Sequence, residues 1–175
     1  MLVPKHLDPS EKCIRCVLHP LMYSNSKHQL KREAMLPPRN STKVSLLRLD
    51  YTEEGLPFCV NHGKSLSIDG QTFVGLASIT PKMVEECSDK ILKTQSLHAE
   101  VVYAPMHQGE YVDTSIDVDT QDPNIDLPMH ADLTYDTQEE GDVRTVLRMF
   151  ANELVKRASF IEESEIILLP KWWSI

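Results

Sequence analysis

Apolar positions along this chain recur at two different spacings, and the switches between them divide it into elements. Residues 12–18 (KCIRCVL), 43–49 (KVSLLRL), 72–79 (TFVGLASI), 97–104 (LHAEVVYA) and 131–135 (ADLTY) are short and rich in branched or aromatic side chains. Turn residues or prolines close several of them, as strands require. Two stretches carry the longer helical period. After Asp142, the residues Val143, Val146, Leu147, Phe150, Ala151, Leu154, Val155 and Ala158 form one stripe. Arg144, Arg148, Glu153, Lys156 and Arg157 lie opposite it. A second helix is expected from Pro81 to about residue 93, with Met83, Val84, Cys87 and Ile91 on one side. Its start is well written: Thr80 caps it, Pro81 takes the first helical position, and Ile79 can staple to Val84.

The remaining segments are less regular. Residues 24–40 are polar, basic and closed by Pro37-Pro38, which reads as a surface connection holding a helical turn. Residues 58–66 fit either a loop or a single helical turn. Residues 106–129 form a long acidic loop interrupted by Pro123 and Pro128, and connections of that length usually carry function. An apolar run at 166–169 reads as a last strand before an aromatic tail, residues 170–175, which holds Trp172 and Trp173. The order β, β, β, α, β, β, α, β predicts an α+β protein. The expectation is a single compact domain over residues 1–175, with a mixed, mostly antiparallel sheet and two main helices.

Composition narrows the class. A chain of 175 residues with 41% apolar and 25% charged residues suits one soluble globular domain. Four cysteines are too few for a disulfide scaffold. The N-terminus lacks a secretory pattern, and no uncharged apolar run is long enough to span a bilayer. A cytoplasmic protein with reduced thiols and no membrane contact is expected. The net charge of −8 argues against general coating of nucleic acid. The charge is nevertheless polarised: residues 27–48 hold six basic side chains against one acid, whereas residues 109–143 hold eleven acids and no Lys or Arg. The basic stretch is either solvated surface or a place to meet a nucleotide, a nucleic acid or an acidic partner. Its phosphate-binding candidates are Lys31, Arg32 and Arg48, joined by Arg15.

Two constellations invite chemistry. Cys13-x-x-Cys16 and Cys59-x-x-His62 have the spacing of structural zinc ligands and together would complete one tetrahedron. In a regular strand, however, Cys13 and Cys16 point to opposite faces, and Ile14, Arg15 and Val17 favour an extended chain. Gly63 after His62 allows a turn, so that half fits better. Either the strand opens to admit a zinc, or these thiols are core packing. The second constellation is a repeated triplet, His98-Ala99-Glu100 and His130-Ala131-Asp132, each opening a predicted strand. Strand alternation sets each His and its acid on one face, as an acid/base pair or part of a metal site needs. His130 is preferred, because the long loop ends there. The run from Asp117 to Asp122 is no calcium loop, since Asp122 and Pro128 stand where such a loop needs Gly and Glu. Phosphate-loop, dinucleotide-binding, nucleophile-elbow and zinc-protease motifs are absent.

Arg15 on the first strand, Ser45 on the second and the later Glu100 resemble the Arg–Ser–Glu plan of ADP-ribosyltransferases, without that family's Ser-Thr-Ser triplet. The resemblance implies that Arg15 grips a dinucleotide phosphate, Ser45 shapes the nicotinamide pocket and Glu100 activates the ribose. Three functions stay open. The first is a small accessory or regulatory binding protein of bacterial type, working with a protein partner in a larger assembly. The second is an enzyme of nucleotide or nucleic-acid chemistry, either ADP-ribosyltransferase-like or using a His/carboxylate pair. The third is a binding module stapled by zinc.

Overall fold

Six strands hydrogen-bond into one sheet in the computed structural model, which describes residues 1–93, 97–113, 117–136 and 143–166. They are β1 (Cys13–His19), β2 (Lys43–Arg48), β3 (Thr72–Ile79), β4 (His98–Tyr103), β5 (His130–Asp136) and β6 (Ser159–Glu162). Their order across the sheet is β6-β3-β1-β2-β5-β4, and every pairing is antiparallel. The protein is thus α+β, with a sheet covered on both faces.

Three helices supply most of the cover: α1 (Leu56–Ser65), α2 (Pro81–Cys87) and α3 (Val143–Arg157). A fourth, α4 (Glu163–Ile166), is a single turn. The stripe after Asp142 does bury itself: Leu147, Phe150, Ala151 and Leu154 of α3 are all in the core. Phe150 meets the ring of Tyr135 on β5 edge-on, with centroids 5.6 Å apart. Tyr135, Leu133 and Ala131 therefore face α3. Alternation turns His130, Asp132 and Thr134 to the opposite face, on which α1 lies. Thr80 caps α2 as expected, its hydroxyl accepting from the Met83 N–H at 3.2 Å. Beyond Cys87 the helix widens into a π-helical turn, Ser88–Leu92.

Several expectations need correction. Residues 58–65 belong to a ten-residue helix, and Leu66 follows its end. Pro57 begins it, and Leu56, Cys59, Val60 and Gly63 are its buried side. Gly63 does not make a turn. It lets α1 settle on the sheet, because a Cβ there would stand 2.3 Å from the Phe73 ring. The basic connection is only partly surface: it holds a hairpin (Tyr23–Ser24 with Gln29–Leu30) and a 3-10 turn, after which Met35 and Leu36 are buried. The last described strand, Ser159–Glu162, pairs with β3 immediately after α3 and was not expected. Ile166 closes α4, and the rest of that run, with the aromatic tail 170–175, lies outside the described residues. The acidic loop carries a small hairpin, Met106–His107 with Glu110–Tyr111, and a strand, Val118–Asp119, that pairs with Leu2–Val3. No described helix is long and apolar enough to cross a membrane.

Candidate functional site

The face of the sheet carrying His130 and Asp132 is where polar chemistry collects. Strand β5 runs antiparallel to β2 so that His130 stands opposite Leu47, Asp132 opposite Ser45 and Thr134 opposite Lys43. Cross-strand partners share a face, so Lys43 and Ser45 project beside Asp132. Helix α1 supplies one wall through His62 and, just past its end, Leu66. A small depression lined by Ile14, Ser45, Leu47, His62, Leu66 and His130, among others, holds about 20 Å³, room for a single water-sized group. The hairpin of the acidic loop reaches over the other side. Its Tyr111 ring lies 6.3 Å from the His130 ring and 3.8 Å from Lys43 Nζ.

Asp132 is the centre of this arrangement. Its side chain is 0% exposed, and neither carboxylate oxygen makes a hydrogen bond of normal geometry to another described group. Three polar groups surround it. Lys43 Nζ is 3.5 Å from Oδ2, and His130 Nε2 is 3.9 Å from Oδ1. The third is the Tyr111 hydroxyl, whose pKa is pushed up to about 12 by burial and then by its approach to the Asp132 carboxylate. Burying a charge without hydrogen bonds costs several kcal/mol, roughly, in any soluble protein. The lysine compensates the charge but leaves the oxygen lone pairs unmet.

His130 is fixed by its own strand junction. Nδ1–H donates to the Ala104 carbonyl at 2.6 Å, which leaves Nε2 as the nitrogen that faces Asp132. Burial lowers its pKa below the ordinary 6.5, opposed by the Ala104 bond and the Asp132 charge. His62 is lowered as well, first by burial and then by His130. Both rings are thus neutral near pH 7, so the site holds one carboxylate and one ammonium beside two neutral imidazoles.

The other expected residues lie elsewhere. His98 and Glu100 are exposed on the edge strand β4 and line a different groove of about 230 Å³ with Pro9, Pro81, Lys82 and Glu85. Glu100 is separated from Arg15 by β2 and β5, so the three residues of the ADP-ribosyltransferase resemblance do not meet. Each of the four phosphate candidates has donors engaged within the protein. Arg48 is fully buried, paired with Glu11 (Nη2–Oε2 2.9 Å), and also donates to the carbonyls of Pro4 and His6. Arg15 donates to Ala34 O at 3.2 Å and Ser45 O at 3.1 Å. Lys31 donates to Pro20 O at 2.6 Å, and Arg32 pairs with Glu33 at 3.1 Å.

The cysteine pairs do not assemble. Cys13–His19 is a regular strand through Val17, so Cys13 and Cys16 face opposite ways. Cys16 Sγ contacts the Cys59 carbonyl at 3.5 Å, whereas Cys13 sits across from Arg48 and Ile79. Among the described residues, no three His, Cys, Asp or Glu side chains are grouped as a metal ion would require. Burial pushes the thiols of Cys13 and Cys59 up to about 12 and that of Cys16 to about 11.

Sequence reasoning found His130 and Asp132 but missed their companions. Lys43 could have been found: it shares strand parity with Ser45 on a segment whose partner was unknown. Tyr111 carried no signal beyond being the one aromatic of the acidic loop. No family model, no curated protein and no solved structure matches this chain.

Proposed function

We propose that this protein works by binding, as an accessory or regulatory component that holds a partner or ligand on the sheet face between α1 and the Tyr111 hairpin. One observation carries the reading: Asp132, wholly buried, has two carboxylate oxygens without a hydrogen bond of normal geometry, only the Tyr111 hydroxyl approaching it beside the lysine. A structural carboxylate in this position would be saturated, as Glu11 is by Arg48. An unsaturated one, beside a fixed histidine and under an aromatic side chain, has the character of a recognition group. The flanks suit a contact surface, since Leu66 and Ile68 past α1 are 40% and 64% exposed and Tyr111 is 51% exposed. Such side chains favour interfaces.

A second reading has its own observation. The anchored His130 directs Nε2 toward Asp132, which is the geometry of a positioned general base. The room beside it admits one water and not a nucleotide, so this reading concerns a small polar substrate.

The test is recovery of partners on tagged protein from the native host. Wild type should retain a specific species that Asp132→Asn loses while remaining folded. Equal recovery by both would contradict the proposal.

A further inference from the structure

Lys43 sits where a ligand's charge would sit. Its ammonium lies 3.8 Å from the centroid of the Tyr111 ring and 3.5 Å from Asp132 Oδ2. A cation over an aromatic face, with a carboxylate behind it, is how proteins recognise ammonium groups. The lysine enters from the rim: its side chain is 40% exposed, and it stands opposite Thr134, two register pairs away from Asp132. At 3.5 Å it neutralises the carboxylate without hydrogen-bonding to it. Tyr111 keeps half its surface outward, so the aromatic wall extends beyond the lysine's position.

From this we propose that the Asp132 site takes a primary ammonium group, and that Lys43 is the chain's own occupant of it, displaced or joined when the ligand arrives. The inference rests on the binding reading above and gives it a ligand class. Size and charge both select this class. The place between Asp132 and the Tyr111 ring is filled by Lys43 Nζ, 3.5 Å from the one and 3.8 Å from the other, a fit that suits –NH3⁺ better than a guanidinium or a quaternary amine. An anion would meet the buried Asp132 charge. Of the neighbouring cations, Lys43 is paired with that carboxylate and Arg15 is already donating to two carbonyls. The amine could be a free small molecule or a lysine of a partner polypeptide; its chemistry at the site is the same.

Chemical rescue tests this. Lys43→Ala removes the internal ammonium from the full-length chain, and Lys43→Met keeps the apolar stem should the alanine variant fold poorly. Thermal unfolding is then followed with millimolar n-butylammonium chloride, or with the blocked peptide acetyl-Gly-Lys-Gly-amide. Potassium chloride, tetramethylammonium chloride and sodium acetate serve as controls. The expected result is a Tm rise of about 2–4 °C with the primary amines beyond that given by potassium or tetramethylammonium. It should vanish when Asp132→Asn is added. A larger rise with the peptide than with butylammonium identifies a polypeptide lysine as the source; the reverse identifies a free amine. If acetate gives the rise instead, the ligand class is overturned while binding at this site stands. If no probe gives a rise, the ammonium proposal is overturned. Should Asp132→Asn also leave partner recovery unchanged, the binding reading falls with it.

Discussion

At the residue scale, two buried ionisable pairs behave in opposite ways. Arg48 and Glu11 saturate each other, and the guanidinium also stacks near Tyr51 and Tyr103, with ring centroids 4.5 and 5.1 Å away. Removing one partner strands the other. Arg48→Met should therefore destabilise the fold by about 3–5 kcal/mol in denaturant titration, and a loss below about 1 kcal/mol would show that Glu11 finds other donors. His130 is held neutral by burial, so its folded pKa lies below the ordinary 6.5. As pH falls through 6.5 the unfolded chain binds a proton that the folded one refuses. Stability is then lost from about 6.5 downward until the depressed value is reached, and His62 adds to the same trend. Unfolding free energies measured from pH 7.5 to pH 5 should decline for wild type and decline less for His130→Gln. Parallel profiles would contradict this account of the histidine.

At the element scale, local patterns were legible where local physics decides. The amphipathic stripe of α3 and the Thr80-Pro81 start of α2 need no knowledge of the rest of the chain. Helix α1 was obscured because its buried side includes a glycine, which adds nothing to an apolar stripe. Gly63 does its work across the core, where the Phe73 ring leaves no space for a side chain. Phe73 is itself 3% exposed and has nowhere to swing. Gly63→Ala should thus cost about 1–3 kcal/mol despite alanine's better helix propensity, as read from the urea midpoint. A stabilised variant would mean that α1 can ride outward. The pairing of β6 with β3 was hidden for a related reason. Four residues with little alternation become a strand only because an edge is waiting for them.

At the scale of the whole molecule, the sheet separates two kinds of surface. One face is closed by α2 and α3 over an apolar core. The other is closed by α1 over part of its width and left polar where β2 and β5 meet. The sequence announced the His130–Asp132 half of the site through residue type and strand parity. It marked Lys43 only as a parity mate of Ser45 and Tyr111 not at all; the two arrive by strand register and by a hairpin in a loop with no apolar period. The cysteines read as ligands in one dimension and as core in three. Cys13, Cys16, Cys59 and Cys87 are all buried with raised pKa. Under native conditions near pH 8 a thiol reagent should therefore modify none of them quickly, and all four should react on unfolding. Prompt labelling of Cys59 or stoichiometric zinc in purified protein would show that α1 packs differently.

Asp132 is kept either for binding or for folding, and equilibrium stability separates these most directly. Asp132→Asn preserves shape while removing a buried charge that lacks hydrogen bonds of normal geometry. If the carboxylate serves a ligand, the free protein should be as stable as wild type or more so, because the cost of burying that charge disappears. A loss of more than about 2 kcal/mol would mean that the Lys43–Asp132 pair holds the fold together. That result would contradict the central claim.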